Sequence, residues 1–330
     1  MKYFIGIDGG GTKTDYLMTD DHGNVCAKAA AEGSSYLMIG IDGVADQFEQ
    51  KVSQCLLDSG AARSQIAGIA AGVPCLGENP EADRQLVAAV RARFSGMPLY
   101  ICNDAEVGWA GSLGLASGIN VVAGTGSIAF GKNGAGQSVR TGGWSTFFGD
   151  EGSCYWLGRK TVELFAKQFD GRVPKNKLYD IIMTKFDVTT PMDFIALAEK
   201  EYAPDRSKVA SLQRYLLAAA VAGDASAVKL YDRAADELGM MAVAAAAKIR
   251  QPGERLGVTL SGGLSHAKQF VMKHFERWVD CFDGYMTEAA FSPVEGAVLL
   301  AADQFSKEDI EAIKHGLKYR ENMEDEIKCL

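Results

Sequence analysis

The sequence has fewer basic than acidic residues and no long hydrophobic run. Its 330 residues include 34 Lys and Arg against 42 Asp and Glu, which gives a formal net charge of −8. Nucleic-acid-binding surfaces carry a basic stripe, so we expect no nucleic-acid partner. No apolar run reaches the roughly 20 residues that a membrane-spanning helix needs, so we also expect no membrane association.

The cysteines are scattered rather than paired. There are seven, an odd number, and no two stand in a C-x-x-C arrangement. This pattern favours reduced thiols over a disulfide framework. Met1, Lys2 and Tyr3 lead directly into a strand-like run without the pattern of a signal peptide. We therefore expect a cytoplasmic protein, and the sequence leaves open whether it is a monomer or a homodimer.

The hydrophobic patterning predicts an α/β protein with two similar halves. In the first half it predicts strands at 3–8, 15–20, 25–31, 66–73 and 98–102, and helices at 40–57, 81–94 and 105–113. In the second half it predicts strands at 119–123, 127–131, 138–141 and 256–260, an interrupted helical region at 154–249, and helices at 267–279 and 297–305. A strand, a glycine turn and a second strand open both halves, which indicates an internal duplication of architecture. We place the domains at 1–115 and 116–296, followed by C-terminal helices at 297–330 for which packing on the first domain is one option.

Three glycine turns each follow a strand-like run. Glycine lets backbone N–H groups approach a phosphate closely, and neither the G-x-G-x-x-G nor the P-loop pattern fits these turns. Asp8 ends the first strand, where a carboxylate suits Mg²⁺. Each turn taken alone also fits a tight connection without a ligand. The turns contain Gly10, Gly11, Thr12 and Lys13, then Gly124, Thr125, Gly126 and Ser127, and finally Gly262 and Gly263.

Asn103 and Asp104 end a predicted strand and open a predicted helix. A carboxylate at the end of a strand in an α/β protein is well placed to act as a general base in phosphoryl transfer to an alcohol. Asp104 as a helix N-cap is the alternative.

The densest polar and aromatic stretch runs from Gly142 to Ser153. Gly142 and Gly143 offer backbone N–H groups, Trp144 offers a ring face, and Asp150 offers acceptors for sugar hydroxyls. Asp150 or Ser153 as a helix cap is the alternative.

Taken together, these motifs resemble the N-acetylglucosamine kinases of the BadF/BadG/BcrA/BcrD-type ATPases, a family within the superfamily of actin, hexokinase and the heat-shock chaperone ATPases. The resemblance runs from Ile5 to about Ala302 and includes I-D-G-G-G-T-K-T, N-D-A, G-T-G-S, G-G-W, G-D-E-G-S and S-G-G in that order. It implies two ribonuclease-H-like lobes with a nucleotide cleft between them, ATP and Mg²⁺ as cofactors, and a small sugar as the substrate.

The resemblance also implies residue roles. Asp104 would be the catalytic base and Asp8 would position Mg²⁺. The phosphates would be held by Gly10, Gly11, Thr12, Lys13, Gly124, Thr125, Gly126 and Ser127, and the adenosine would lie against Gly262 and Gly263. The sugar would be bound by Ser35, Asn103, Asp104, Gly142, Gly143, Trp144 and Asp150.

The chain departs from the amino-sugar kinases at one position. Ser35 or Tyr36 stands where those kinases carry an asparagine. A serine hydroxyl is shorter than an amide and lacks its separate donor and acceptor ends. N-acetylglucosamine, N-acetylmuramate, glucosamine and glucose therefore all stay open as substrates, with the 6-hydroxyl as the acceptor by family analogy.

Two other functions share these motifs in part. An ATP-driven conformational switch acting on a protein partner would need the nucleotide turns but no sugar site. The related reductase activators hold an iron–sulfur cluster on closely placed cysteines, which this chain lacks. A sugar-binding regulator without catalysis is the third option. The ROK-type zinc cysteines and an N-terminal helix-turn-helix are also missing from the sequence.

Overall fold

The computed structural model describes residues 1–318. The remainder of the predicted C-terminal segment, 319–330, lies outside the described residues. The described residues form two compact units, one made of Met1–Ser117 with residues 288–318, and the other of Gly118–Thr287. The chain thus returns to the first unit at Glu288, nine residues before the predicted start of the C-terminal segment. A boundary at 296 would have cut a helix that begins at Pro293.

Each unit contains one sheet with helices packed on it. The strands are β1 (Tyr3–Gly9), β2 (Lys13–Asp20), β3 (Val25–Glu32), β4 (Ile66–Val73), β5 (Leu99–Asn103), β6 (Gly118–Ala123), β7 (Ser127–Lys132), β8 (Ser138–Gly142), β9 (Gly257–Ser261) and β10 (Tyr285–Met286). The helices are α1 (Tyr36–Ser59), α2 (Pro80–Arg93), α3 (Asp104–Leu113), α4 (Ser145–Phe148), α5 (Cys154–Phe169), α6 (Lys177–Lys185), α7 (Pro191–Leu197), α8 (Arg206–Ser211), α9 (Gln213–Val221), α10 (Ala225–Ile249), α11 (Lys268–Asp280) and α12 (Pro293–Phe305). Residues 310–318 are also helical.

The two sheets have the same strand order. The first is β3-β2-β1-β4-β5, and the second, read from its other edge, is β8-β7-β6-β9-β10. In the first sheet β1 and β2, and β2 and β3, pair antiparallel, whereas β1 and β4, and β4 and β5, pair parallel. The second sheet repeats this pattern with β6, β7 and β8 antiparallel and with β6, β9 and β10 parallel. The predicted α/β class and the repeated architecture are therefore confirmed. The short strand β10 was missed, because two residues carry no readable periodicity.

Alternation along β1 explains how the first unit packs. Ile5 and Ile7 belong to a core that includes residues of α1 and α2. Gly6 points the other way, and a Cβ there would lie 2.5 Å from the Val294 carbonyl oxygen of α12. Successive residues of a strand face opposite sides, so helices cover both faces of β1. Glycine at Gly6 allows α12 to pack directly on the sheet.

The predicted helical region of the second unit divides into several helices. Between α7 and α8 the chain forms one turn of π-helix, Ala198–Tyr202. In α10 the buried face is rich in alanine, which lets the helix lie close to the sheet and to its neighbouring helices. Among residues 1–318, no helix is both long and apolar enough to cross a bilayer.

Asp224 connects three of these helices from a fully buried position. One carboxylate oxygen caps α10 by accepting from the amides of Ser226 and Ala227 at 2.9 and 3.2 Å. The other accepts from Gln168 Nε2 of α5 and the Leu178 amide of α6, both at 3.2 Å. A single carboxylate thus satisfies four donors, three of them in buried hydrogen bonds.

Replacing Asp224 with Asn should lower the free energy of unfolding by about 2–3 kcal/mol, because an amide NH₂ would then face two buried donors. Urea-induced unfolding followed by circular dichroism measures this loss. Asp205→Asn is the matched control, since Asp205 is an exposed N-cap and Asn caps a helix equally well. Equal stabilities of the two variants would contradict the assigned role of Asp224.

Candidate active site

The first glycine turn is the tip of the β1–β2 hairpin. The Gly10 amide donates to the Lys13 carbonyl oxygen at 2.9 Å, and Gly11, Thr12 and Lys13 are exposed. Lys13 Nζ lies 2.8 Å from Asp15 Oδ1. The hairpin therefore presents an open tip with one positive charge.

Gly11 has no visible reason within the chain to be glycine. Its φ lies outside the left-handed region, and a Cβ there would have nothing within 4 Å. Gly10 differs, since a Cβ would lie 2.8 Å from the Lys13 carbonyl oxygen. The freedom of glycine to adopt positive φ is thus not used at either residue. What remains at Gly11 is open space beside the backbone, which an anion could fill.

Asp8 ends β1 beside this turn. Burial, followed by the nearby charges of Asp104 and Asp15, raises its pKa to about 7, while Lys13 acts in the opposite direction. A cation here would relieve the repulsion between these carboxylates. Within residues 1–318, no three His, Cys, Asp or Glu side chains converge to form a complete metal site. The arrangement fits Mg²⁺, which proteins commonly bind through one or two carboxylates together with substrate phosphates.

Asn103 caps α3, and Asp104 is the first residue of the helix. Asn103 Oδ1 accepts from the Ala105 amide at 3.0 Å, and Asn103 Nδ2 donates to the Leu76 carbonyl oxygen at 2.9 Å. Both ends of the Asn103 amide thus have a partner within the chain, which gives Asn103 a positioning role, and its contact with substrate stays a prediction. The alternative that Asp104 is the N-cap was wrong.

Ser35 lies at the start of α1 and is 6% exposed. Its Oγ is 3.9 Å from Cys75 Sγ, a contact that the sequence reasoning missed. Cys75 follows β4 and has a φ of +66°, a strained conformation of the kind that clusters at functional sites. One signal could have found it. The parallel strands β1, β4 and β5 have their carboxyl ends at the same edge of the sheet, so Asp8, Cys75 and Asp104 all lie at that edge.

The second glycine turn joins β6 and β7. The Gly124 amide donates to the Gly126 carbonyl oxygen at 2.9 Å. The carbonyl oxygens of Gly124 and Thr125 accept from the first amides of α5, at Cys154 and Tyr155. Gly124, like Gly11, has φ outside the left-handed region and nothing within 4 Å of a Cβ. The second unit therefore repeats the open glycine of the first.

Asp150 stabilises the second turn rather than facing open solvent. It is 3% exposed; Oδ1 accepts from the Ser127 amide at 3.1 Å, and Oδ2 pairs with Arg206 Nη2 at 2.5 Å. Each carboxylate oxygen thus has a partner within the chain, and the sugar contact of Asp150 stays a prediction. Ser127 Oγ donates to the Glu151 carbonyl oxygen at 2.6 Å, which ties the turn to the start of α5, and its phosphate contact stays a prediction. Ser153 is the residue that caps α5.

Gly262 supports the same turn from β9. Its φ is +92°, and a Cβ would lie 2.7 Å from the Ala123 carbonyl carbon and 2.8 Å from the Gly124 nitrogen. Glycine is required here because a side chain would collide with the backbone of the second turn. This is a different reason from the contact with adenosine that the resemblance implies. Gly263 is exposed and begins a 3₁₀ turn.

Gly142 and Gly143 both have left-handed backbone, with φ of +72° and +70°. The following Trp144 is 64% exposed, and the Arg140 guanidinium lies 5.4 Å from its ring centroid. In α4, Phe147 and Phe148 are also exposed and their rings meet edge to face. The second unit therefore presents aromatic surface beside the two glycines, and the sugar contacts at Gly142, Gly143 and Trp144 stay predictions.

Two sheets of one strand order, each carrying an open glycine hairpin between its first two strands, define a duplicated α/β ATPase of the ribonuclease-H-like type. The model of the BadF/BadG/BcrA/BcrD ATPase family matches residues 5–301. The chain belongs to this family.

Named relatives are sugar kinases. The chain is 27% identical to the N-acetylmuramic acid/N-acetylglucosamine kinase of Clostridium acetobutylicum over 281 residues, covering 85% of this chain and 91% of that protein. It is 30% identical to the N-acetyl-D-glucosamine kinase of Dictyostelium discoideum over 233 residues, covering 68% and 72%. A solved structure, of a proposed N-acetylglucosamine kinase from Chromobacterium violaceum, is similar with a TM-score of 0.71 and 25% identity, covering 91% of this chain and 99% of that one.

Proposed function

We propose that this protein is an ATP-dependent kinase that transfers the γ-phosphate to the 6-hydroxyl of N-acetylglucosamine or a closely related amino sugar. The carbohydrate kinase class is the one that the curated relatives share. The observation that carries the proposal is the Asp104 carboxylate, which interacts electrostatically with Asp8 at the β5–α3 junction while Asn103 caps the helix.

The phosphates of ATP would contact the two glycine turns. Support comes from the open space at Gly11 and Gly124, where a side chain would meet no protein atom. The exposed residues Thr12 and Lys13 add a hydroxyl and a charge to the first turn. Beside Gly124, the second turn would contribute Thr125 and Gly126. The adenosine would lie against Gly262 and Gly263, which are exposed.

Asp8 would hold Mg²⁺ together with phosphate oxygens. When bound, Mg²⁺ neutralises charge on the phosphates that are transferred and released. The raised pKa of Asp8 supports this assignment, because a buried carboxylate beside a second one favours a bound cation.

Asp104 would orient the sugar hydroxyl and accept its proton as the oxygen attacks the γ-phosphorus. Ser35, Gly142, Gly143 and Trp144 would bind the sugar. A pyranose ring presents an apolar face that suits the exposed ring of Trp144.

The test is ADP release from Mg²⁺-ATP against N-acetylglucosamine, N-acetylmuramate, glucosamine, N-acetylmannosamine and glucose. We expect one amino sugar to stimulate turnover by at least about tenfold over the sugar-free rate, with phosphate found on that sugar. The 6-deoxy analogue of the same sugar is the matched control and should release no ADP above background. ATP turnover that is insensitive to every sugar would contradict the proposed sugar kinase activity and favour an ATP-driven switch. Phosphorylation of the 6-deoxy analogue would contradict the proposal that the 6-hydroxyl is the acceptor.

A further inference from the structure

Arg206 lies against the second glycine turn, although it comes from the helical region of the second unit. Its Nη2 would be 2.4 Å from a Cβ on Gly126. The same nitrogen pairs with Asp150, whose other oxygen accepts from the Ser127 amide. The guanidinium and the turn thus share one buried carboxylate.

The pairing with Asp150 leaves much of the guanidinium available. The Arg206 side chain is 48% exposed, whereas Asp150 is 3% exposed. Arginine carries five N–H donors in a rigid fork, and one contact with a carboxylate oxygen uses only a part of them. The remaining donors lie at a turn whose Gly124 faces open space.

Arg206 is the first residue of α8, so the backbone of this helix fixes the position of its Cα. Asp205 caps the helix by accepting from the Ser207 and Lys208 amides at 2.9 and 3.0 Å. Three residues further on, α8 is held tightly to α5, because a Cβ on Gly158 would lie 1.9 Å from the Val209 carbonyl oxygen. The backbone at Arg206 is thus fixed on both sides, and the pairing with Asp150 sets the direction of its guanidinium.

We propose that Arg206 binds the phosphate chain of the nucleotide, with Asp150 orienting its guanidinium toward the turn formed by Gly124, Thr125 and Gly126. This inference rests on the proposed function, because it assigns a further ligand contact to the same nucleotide site. Guanidinium groups bind phosphate through charge-assisted hydrogen bonds that are stronger than those of backbone amides alone. Arg206 therefore binds phosphate beside the turn, and its pairing with Asp150 orients the guanidinium for that contact.

The test compares Arg206→Gln with wild type by calorimetric titration of ADP and of adenosine. We expect the Kd for ADP to rise by at least about tenfold, and the Kd for adenosine to stay within about twofold. The Kd for ADP should also depend less steeply on KCl concentration in the variant, since one charge contact is lost. Arg206→Lys keeps the charge without the fork and should recover part of the ADP affinity.

Lys208→Gln is the matched control, because it removes one exposed positive charge from the same short helix and should leave both Kd values unchanged. Equal ADP affinity of wild type and Arg206→Gln would overturn this inference alone. A loss that is the same for adenosine and ADP, together with a lower thermal midpoint, would also overturn it and indicate that Arg206 only neutralises Asp150. Wild-type protein that binds neither ligand would overturn the proposed function together with the inference.

Discussion

Replacement of Asp104 by Asn is expected to reduce kcat by about 10³-fold, while the Kd for ATP changes by less than about twofold. The amide has the size of the carboxylate but cannot accept the proton of the attacking hydroxyl. The fold should be retained, because the cap of α3 is Asn103 and the Asp104 side chain is the first of the helix. Steady-state ADP release gives kcat, and calorimetric titration gives the ATP affinity.

Glu106→Gln is the matched control for this experiment. Glu106 lies in the same first turn of α3, and its carboxylate accepts from the Tyr100 hydroxyl at 3.1 Å. Removing that charge should leave kcat within about threefold of wild type, since Glu106 has no part in the proposed reaction. Near-normal turnover by the Asp104 variant would remove Asp104 from the role of base.

Gly124→Ala is expected to weaken ATP binding by at least about tenfold and to leave the thermal midpoint within about 2 °C of wild type. The added methyl group meets no protein atom within 4 Å, so folding has no reason to resist it. It would instead occupy the space that the proposal reserves for a phosphate. Calorimetric titration with ATP and thermal unfolding separate the two effects.

The opposite behaviour is expected of Gly136→Ala. Gly136 lies in the turn between β7 and β8, has open space around a Cβ, and adopts a φ of +81°. Alanine in this conformation should cost about 1 kcal/mol of stability, with ATP affinity unchanged. If Gly124→Ala instead loses stability and keeps its ATP affinity, the second turn is a structural connection and does not bind phosphate.

Local patterns were sufficient to predict most of the fold. The predicted strand 66–73 coincides with β4, because a β-branched and alanine-rich run ends at Pro74. The predicted start of α1 at residue 40 reflects a real break, since Gly40 has φ of +76° within the helix assigned from Tyr36. The short helix α4 was missed, because four residues are too few for a helical period to emerge.

The candidate site was predictable only in part. Motif spacing predicted Asp8 and Asp104 as site residues, and in the structure burial, followed by the charge of Asp104, raises the pKa of Asp8. No motif marked Cys75, and only its place after β4, at the edge where the parallel strands β1, β4 and β5 end, could have indicated that it lies near the site. Arg206 stands in a region without a readable motif, 56 residues from the carboxylate that it pairs with.

By itself the sequence determined the α/β class, the strand–turn–strand unit that opens both halves and the positions of the glycine turns, because these depend on side-chain alternation and on residues that are close along the chain. Only the tertiary structure decided which hydrogen-bond partners each polar side chain has within the chain. The carboxylate oxygens of Asp150 accept from the distant Ser127 amide and pair with the Arg206 guanidinium. Asn103 Nδ2 donates to the distant Leu76 carbonyl oxygen. Hydrogen bonds between residues far apart in sequence leave no local pattern, so their assignment required the folded chain.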